Sequence, residues 1–334
     1  MKTKIVYVLV SNDDDIFYEQ ALVSVYTLRH YNKDSIVCLV VDDCTKKTLL
    51  GGAREEMLHF INEVVVADVP SEFSPIQKHR FIKTNLRTII EGDFFYIDGD
   101  TIVCGNLDGL DYLNVDIAAV PDAHCMACQL PWYETKNSLV KSIFGIKISP
   151  DSIYFNSGCV FVKDSKTSRD FFKLWHLNWS RSKMDGCDYD QPAFYYTNWQ
   201  MGMCINRLSD IYNCQVSFSF THFHSSLIIH YWGTSVNEYN SPTWTRKSFF
   251  NSIKNKGCLT DDIKNIALNC KTTIPTPSIL LTKRTYYDFF TSEFGIRVLA
   301  EYERNSLFLK LFKFVLRVYQ KAIMLFLLIK KRLL

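Results

Sequence analysis

Two aspartates separated by one glycine follow directly after a short apolar run. The run is Phe94 to Ile97, and Asp98-Gly99-Asp100 comes next. At the end of a strand, two carboxylates one residue apart can hold a divalent cation, directly or through water, and oxygen ligands suit magnesium and manganese. A cation held there would neutralise charge on a diphosphate and make it a better leaving group. Because such a pair also occurs by chance, its interpretation depends on the rest of the chain.

Five further patterns place polar residues beside strand-like apolar runs. In chain order they are Val10-Ser11-Asn12-Asp13-Asp14, Ala119-Val120-Pro121-Asp122, Tyr154-Phe155-Asn156-Ser157-Gly158, Asp190-Gln191 and Ile229-His230-Tyr231-Trp232-Gly233. A sixth pattern runs from Asp98 to Leu107, where the two aspartates are followed by an apolar stretch and a Gly-x-Leu turn. In this order, the six patterns resemble those of the retaining glycosyltransferases of family 8. These enzymes have a GT-A fold and include bacterial lipopolysaccharide galactosyl- and glucosyltransferases. The resemblance runs from the first strand to about residue 240.

The resemblance implies a metal site made of Asp98, Asp100 and His230. Two carboxylates and a neutral imidazole suit Mn²⁺, or Mg²⁺, and leave positions open for two phosphates. His222 and His224 are rival ligands, because they also lie near a strand start. A histidine in the core at a strand end is the structural alternative for His230.

The resemblance also implies a site for a nucleotide sugar. The residues expected to bind the donor are Val10, Asn12, Asp13, Lys83, Asp98, Gly99, Asn156, Ser157 and Gly233. Those expected near the reacting sugar are Asp122, Asp190 and Gln191.

Each of these groups also has a structural interpretation. The segment 156–158 suits a tight turn, and Asp190 suits a helix N-cap. Arg80 and Arg87 lie one turn either side of Lys83, and all three fit a solvated basic face as well.

One departure from the family's pattern concerns a lysine. Relatives usually follow the His-x-x-Gly turn with Lys-Pro-Trp, which grips the phosphates, whereas this chain continues with residues 234–239 and has no lysine there. Lys247 or Arg246, beside Trp244, are the candidates to replace it.

We therefore expect transfer of a hexose from a UDP-sugar with retention at the anomeric carbon. Gln191 stands where relatives place a polar residue under that carbon, and an amide is a poor nucleophile, which favours front-face attack by the acceptor hydroxyl. Two alternatives stay open. One is a haloacid dehalogenase-like phosphatase with Asp98 as nucleophile and Asp100 as acid; the other is a catalytically inactive protein that binds a sugar nucleotide.

Alternating strands and helices must position these residues. Apolar runs predict strands at 4–10, 36–41, 64–66, 94–97, 117–120, 153–162 and 227–231, with helices at 17–28, 46–60, 77–90 and 168–183. This alternation predicts an α/β, Rossmann-like, mostly parallel mixed sheet flanked by helices. Ligands bind such sheets beyond the carboxyl ends of the strands, where the acidic loops lie.

The C-terminal third divides into two parts. Residues 241–305 are expected to extend a catalytic domain of residues 1–240, with the proline-containing stretch 240–285 as a surface excursion or linker. Residues 306–334 alternate apolar stretches with lysine and arginine, which predicts a basic amphipathic helix on an anionic membrane surface. A helix docked on the core or on another subunit is the alternative.

Composition narrows the possible partners and compartment. A protein that binds nucleic acid is usually strongly basic, and the net charge of +3 does not indicate one. Eleven scattered cysteines, an odd number, suggest reduced thiols. Residues 4–10 fit a first strand better than a signal peptide. We expect a cytoplasmic protein that associates peripherally with the inner face of the cell membrane. Its expected acceptor is a glycan or a lipid-linked glycan, in the synthesis of surface polysaccharide or lipopolysaccharide.

Overall fold

A computed structural model describes residues 1–130, 132–217, 222–234, 241–272 and 292–304, with a few positions between 307 and 318. The expected lysine position after Gly233, the prolines at 275 and 277, and most of the expected membrane helix 306–334 lie outside the described residues. In the part that is described, no helix is both long and apolar enough to cross a membrane.

A seven-stranded sheet forms the centre of the molecule, in the order β3-β2-β1-β4-β7-β6-β8. Its strands are β1 Lys4–Leu9, β2 Val37–Val41, β3 Glu63–Val66, β4 Phe94–Ile97, β6 Ile117–Pro121, β7 Phe155–Val162 and β8 Asn206–Arg207. Only β7 runs antiparallel to its neighbours, β4 and β6, among these pairings. The predicted mostly parallel mixed sheet is therefore confirmed.

Each central strand is apolar on both faces because helices cover both sides of the sheet. Along β1, Ile5, Tyr7 and Leu9 pack into one core, whereas Val6 and Val8 pack into the other. Such continuous burial produces the unbroken apolar runs seen in the sequence.

A second, three-stranded sheet carries the histidine side of the site. It consists of β5 Thr101–Val103, β9 Cys214–Gln215 and β10 Ile228–His230, in the order β5-β10-β9. β10 runs antiparallel to β5, with His230 opposite Thr101. This register brings His230 beside the turn that carries Asp98 and Asp100.

Ten α-helices surround the two sheets in the described residues. They are α1 Phe17–Tyr31, α2 Asp43–Thr48, α3 Pro75–Thr84, α4 Leu86–Ile89, α5 Tyr133–Phe144, α6 Lys166–Met184, α7 Gln191–Gln200, α8 Lys247–Lys256, α9 Asp261–Leu268 and α10 Glu293–Glu303. The single helix predicted over 46–60 is wrong: α2 ends at Thr48 and a 3₁₀ helix covers Ala53–Phe60. Gly51, with φ of +73°, breaks the helix between them.

The expectation of a surface excursion after residue 240 is also wrong for residues 241–272. Trp244 is fully buried, α8 adds Phe250 and Ile253 to the core that covers α1, and α9 adds Ile263 and Ala267. The amphipathic spacing of these helices explains the difference, because each presents an apolar stripe to the domain.

Candidate active site

The Asp98-Gly99-Asp100 turn leaves the sheet between β4 and β5. The backbone N–H of Asp98 donates to the carbonyl oxygen of Gly158 on β7 at 2.7 Å, which anchors the start of the turn. The N–H of Gly233 donates to Oδ2 of Asp100 at 2.6 Å. Gly233 has φ of +79°, a conformation that favours glycine. Backbone groups of neighbouring segments therefore hold the main chain at Asp98 and the carboxylate of Asp100.

Asp98, Asp100 and His230 come together as the resemblance implies. One ligand atom from each lies within 4.8 Å of the other two, and Nε2 of His230 is 3.2 Å from Oδ1 of Asp100. Burial opposes ionisation of Asp100, but the charge and hydrogen bond of His230 outweigh it and lower the pKa of Asp100 to about 2. Burial likewise disfavours the imidazolium of His230, yet the two aspartates raise its pKa. Two carboxylates and an imidazole aimed at one point fit the donor set of Mn²⁺.

Lys83 lies between the carboxylates of Asp98 and Asp190. Its Nζ lies 3.3 Å from Oδ1 of Asp98 and 3.2 Å from Oδ2 of Asp190. It also donates to Oγ of Ser157 at 3.2 Å, and that hydroxyl donates to Asp190 at 2.7 Å. Nε of Arg80 is 3.2 Å from the other oxygen of Asp190. Burial opposes ionisation of Asp190, but these two cations lower its pKa strongly.

The structure separates the three basic residues of the 77–90 segment. Arg80 and Lys83 face the site, whereas the guanidinium of Arg87 donates to the carbonyl oxygens of Ile90 and Gly92. The break at Asn85, between α3 and α4, separates Arg87 from the other two. Asp190 is the N-cap residue of α7, but its side chain makes no capping hydrogen bond and faces the two cations instead.

Asp122 is the centre of the second half of the site. Its carboxylate is fully buried, 2.8 Å from Nζ of Lys136. Asn156 donates to it at 2.9 Å and Gln191 at 3.3 Å. Gln191 also donates to the carbonyl oxygen of Phe155 at 3.3 Å, so both of its amide hydrogens are used and its Oε1 is left as the acceptor.

A cleft opens over the aspartate turn. Its lining includes Val10, Ala21, Arg80, Asp98, Gly99, Asp100 and Gly233, with the half-exposed Phe17 and Ile76. Asn12 and Asp13 are not part of this lining. Oδ1 of Asn12 accepts from the N–H groups of Asp14 and Asp15, and the side chain of Asp13 is 88% exposed.

A second group of possible metal ligands consists of His124, Asp210 and His222. The N–H of Gln215 donates to Nε2 of His124 at 2.9 Å, so the ring proton of His124 is on Nδ1, which lies 2.8 Å from Asp210. Neither nitrogen of His124 then has a lone pair free for a metal. His222, 3.7 Å from Asp210, belongs to this group, and His224 is exposed on the neighbouring turn.

Three residues of the site were not identified from the sequence. The hydroxyl of Tyr96 donates to Asp98, Lys136 pairs with Asp122, and Asn213 contacts both Asn156 and His230. Tyr96 lies on β4 two residues before Asp98, and the alternation of side chains along a strand predicts that these two residues lie on the same side of the sheet. Lys136 lies on α5 and Asn213 lies in the loop before β9, and neither belongs to a local sequence pattern.

The two candidates for the missing lysine are not in the cleft lining. The guanidinium of Arg246 donates to the carbonyl oxygen of Ser241, and Lys247 is exposed at the start of α8. Their role in binding phosphate stays a prediction.

Comparison with solved structures identifies similar folds. The apo structure of the bifunctional glycosyltransferase WbbM matches with a TM-score of 0.50 and 13% identity, over 79% of this chain and 51% of that one. The galactosyltransferase LgtC, in complex with donor and acceptor sugar analogues, matches at 0.49 and 14%, over 79% and 99%. Mouse xyloside xylosyltransferase 1 matches at 0.46 and 12%, over 69% and 97%. The likeness to WbbM concerns the fold, and this chain spans about half of the WbbM chain.

Family assignment rests on a sequence model. No curated protein matches the chain. The model described as glycosyl transferase family 8 matches residues 8–235, about two thirds of the sequence. The matched range contains the aspartate turn, Asp122, Asn156, Gln191 and His230. In a haloacid dehalogenase-like phosphatase the two aspartates would follow the first strand of the sheet. Here they follow β4, the fourth strand in chain order, which argues against the phosphatase alternative. The chain belongs to glycosyl transferase family 8 and is a glycosyltransferase.

Proposed function

We propose that the enzyme transfers a hexose from a UDP-sugar to a hydroxyl of a glycan or lipid-linked glycan, with retention at the anomeric carbon and with Mn²⁺ or Mg²⁺ at the donor diphosphate. The observation that carries this proposal is the close approach of His230 to Asp98 and Asp100, the two aspartates that line the cleft. Asp98 and Asp100 line the same cleft as Val10 and Gly99, at the sheet edge where the base and phosphates would bind.

The three ligands would hold the cation, whose chemistry when bound is to neutralise charge on the departing diphosphate. The chain's own residues prepare that position. Tyr96 and Lys83 both donate to Oδ1 of Asp98, which leaves Oδ2 with fewer competing partners. Lys83 and Arg80 add fixed positive charge beside the cleft. Preorganised charge of this kind stabilises a leaving group without reorganisation during the reaction.

The second half of the site would bind the sugar. Two carboxylates and an amide, from Asp122, Asp190 and Gln191, lie in one hydrogen-bonded group with Ser157. Buried polar groups of this kind select sugars by the hydroxyls they pair with. Because Gln191 uses both amide hydrogens on Asp122 and Phe155, its Oε1 remains as an acceptor, suited to orienting a hydroxyl rather than to attacking carbon. This favours front-face attack by the acceptor.

The acceptor and the location of the enzyme complete the proposal. We place the catalytic domain at residues 1–240, its extension at 241–305 and a basic amphipathic helix at 306–334, which would bring the enzyme to the inner face of the cell membrane. The alternation of lysine and arginine with apolar residues in that segment supports binding to anionic lipid. All eleven cysteines are free thiols, which supports a reducing compartment.

A donor screen tests the proposal. The purified chain is incubated with UDP-glucose, UDP-galactose and related sugars, with Mn²⁺ or with chelator, and release of UDP is measured. We expect release from at least one UDP-hexose with Mn²⁺ and none in chelator. Release that is equal in chelator would reject the metal, and binding of every donor without turnover, across several acceptors, would favour the inactive alternative.

A further inference from the structure

A chain of buried amides connects the histidine of the metal site to the carboxylate of the sugar pocket. It runs from His230 through Asn213 and Asn156 to Asp122, and all four side chains are at most 5% exposed. Nδ1 of His230 is 3.0 Å from Oδ1 of Asn213. Nδ2 of Asn213 donates to Oδ1 of Asn156 at 2.9 Å, and Nδ2 of Asn156 donates to Asp122 at 2.9 Å.

One backbone group determines the orientation of every member of this chain. The N–H of Gly158 donates to the side chain of Asn156 at 2.9 Å, so the atom it faces must be the amide oxygen. The carboxylate of Asp122 accepts from the other side of the same amide, which agrees with that orientation. Asn156 therefore presents oxygen to Asn213.

The orientation passes on from Asn156 to His230. Because Oδ1 of Asn156 can only accept, Asn213 must turn its NH₂ towards it, and its oxygen then faces His230. An amide oxygen accepts only from a protonated ring nitrogen, so the Nδ1 of His230 carries hydrogen. In the neutral ring that binds a metal, Nε2, which lies 3.2 Å from Asp100, is then the nitrogen that carries the lone pair.

We infer that Asn213 is a positioning residue with two roles: it holds His230 in the Nδ1–H form that directs Nε2 at a divalent cation beside Asp98 and Asp100, and it couples that histidine to Asp122 in the sugar pocket. The inference rests on the proposed function. Asn213 is fully buried directly before β9, so the loop geometry allows little alternative placement. Partners of this kind orient metal-bound histidines in many sites, and their loss costs about 10- to 100-fold in metal affinity.

Two variants separate the roles of Asn213. Asn213→Leu removes both the acceptor for His230 and the donor to Asn156. Asn213→Asp keeps an oxygen for the His230 ring proton but loses the donor to Asn156. We therefore expect Asn213→Leu to lower Mn²⁺ affinity about 10- to 100-fold. We expect Asn213→Asp to bind Mn²⁺ at least as well as wild type, while its turnover of the donor sugar falls.

The matched control is Asn178, another buried asparagine, whose amide donates to Thr197 at 2.9 Å and Gln200 at 2.7 Å between α6 and α7. Asn178→Leu removes a buried amide of the same kind outside the site. We expect it to lower thermal stability and leave Mn²⁺ affinity unchanged.

The measurement is a titration of the full chain with Mn²⁺ alone, with free Mn²⁺ followed by its electron paramagnetic resonance signal and folding checked by thermal melting. Folded Asn213→Leu with affinity within twofold of wild type would overturn the inference. So would Asn213→Asp as weak as Asn213→Leu, or an equal loss in Asn178→Leu. Asn213→Asp with wild-type donor turnover would overturn the coupling to Asp122. Wild-type protein that binds no Mn²⁺ would instead contradict the proposed function. Failure of the proposed function can therefore be told apart from failure of the inference about Asn213.

Discussion

Lys83 and Asp98 form an ion pair of 3.3 Å in which the lysine side chain is only 2% exposed. Asp98 is expected to bind the metal, and the buried Lys83 beside it also stabilises the fold. The effect on folding can be measured separately from catalysis. The same ammonium group neutralises Asp190, so it balances charge on both halves of the site.

Replacing Lys83 with Met should strongly destabilise the fold. The change leaves the buried Asp190 and the partly buried Asp98 without this cation, and breaking a buried pair from one side typically costs about 3 to 5 kcal/mol in the free energy of unfolding. Urea denaturation measures the loss. Mn²⁺ should restore part of it, because a bound cation compensates Asp98 and stabilises the native state. Lys166→Met, at a lysine that is 89% exposed, is the control and should change stability by less than about 0.5 kcal/mol. A loss below about 1 kcal/mol in Lys83→Met would contradict this account.

Gly158→Ala should abolish metal binding while the protein stays folded. A methyl group at this position would overlap Cε1 of His230 and lie 2.7 Å from Oδ2 of Asp98. Both ligands would have to move, and small displacements at a reacting centre can cost about 10²-fold in rate. Mn²⁺ titration and donor turnover measure the effect. Gly52→Ala, where an added methyl group meets nothing within 4 Å, should behave like wild type. Mn²⁺ binding by Gly158→Ala at wild-type affinity would be inconsistent with the described geometry.

Asp210 should make stability depend on pH in the acid range. Burial opposes its ionisation, but hydrogen bonds from His124 and Arg207 outweigh it and lower the pKa of Asp210 to about 2. In the unfolded chain an aspartate titrates near about 3.9. The folded state therefore gains stability from this carboxylate above about pH 4 and loses it as the pH falls towards about 2. The urea midpoint of Asp210→Asn should lie below that of wild type at pH 6, and the gap should narrow below pH 4. A gap that stays constant down to pH 3 would show that the carboxylate charge contributes nothing there.

The stereochemistry of transfer should follow the position of Gln191. Gln191→Ala removes the amide oxygen that can accept a sugar hydroxyl and the donor to Asp122, and should slow donor turnover by about 10- to 100-fold through poorer alignment. Residual product should keep the anomeric configuration of the donor, because the amide is not the nucleophile. Proton NMR of the product immediately after transfer reads the configuration. Inversion in wild type, or a trapped sugar on Gln191, would be incompatible with the proposed front-face attack.

The strands could be predicted because their physical cause is local. Burial on both faces makes the β1, β2 and β4 runs continuously apolar, and polar residues at their carboxyl ends mark the edge where the site forms. The helix prediction over 46–60 failed because apolar spacing was given more weight than the glycine pair at 51–52. The core role of α8 and α9 was missed because the prolines around them resemble those of a linker.

The site could be predicted only where a residue lies in a recognisable motif. Asp98, Asp100 and His230 were found in that way, and the structure brings them together. Asn213 and Lys136 depend on contacts 57 and 14 residues away in sequence, which no local pattern reports. The same limit applies to the choice among Arg80, Lys83 and Arg87, since the break at Asn85 that turns Arg87 away follows from packing.

The most direct test of the central claim is calorimetric titration of UDP into the purified chain with Mn²⁺, compared with chelator and with the double variant of Asp98→Asn and Asp100→Asn. The account predicts binding of UDP with Mn²⁺ that weakens at least tenfold in chelator and to the same extent in the double variant, with no further loss when chelator is added to the variant. UDP that binds wild type equally well with and without the metal, or a double variant that retains metal-dependent binding, would contradict a cation held between these carboxylates and the diphosphate.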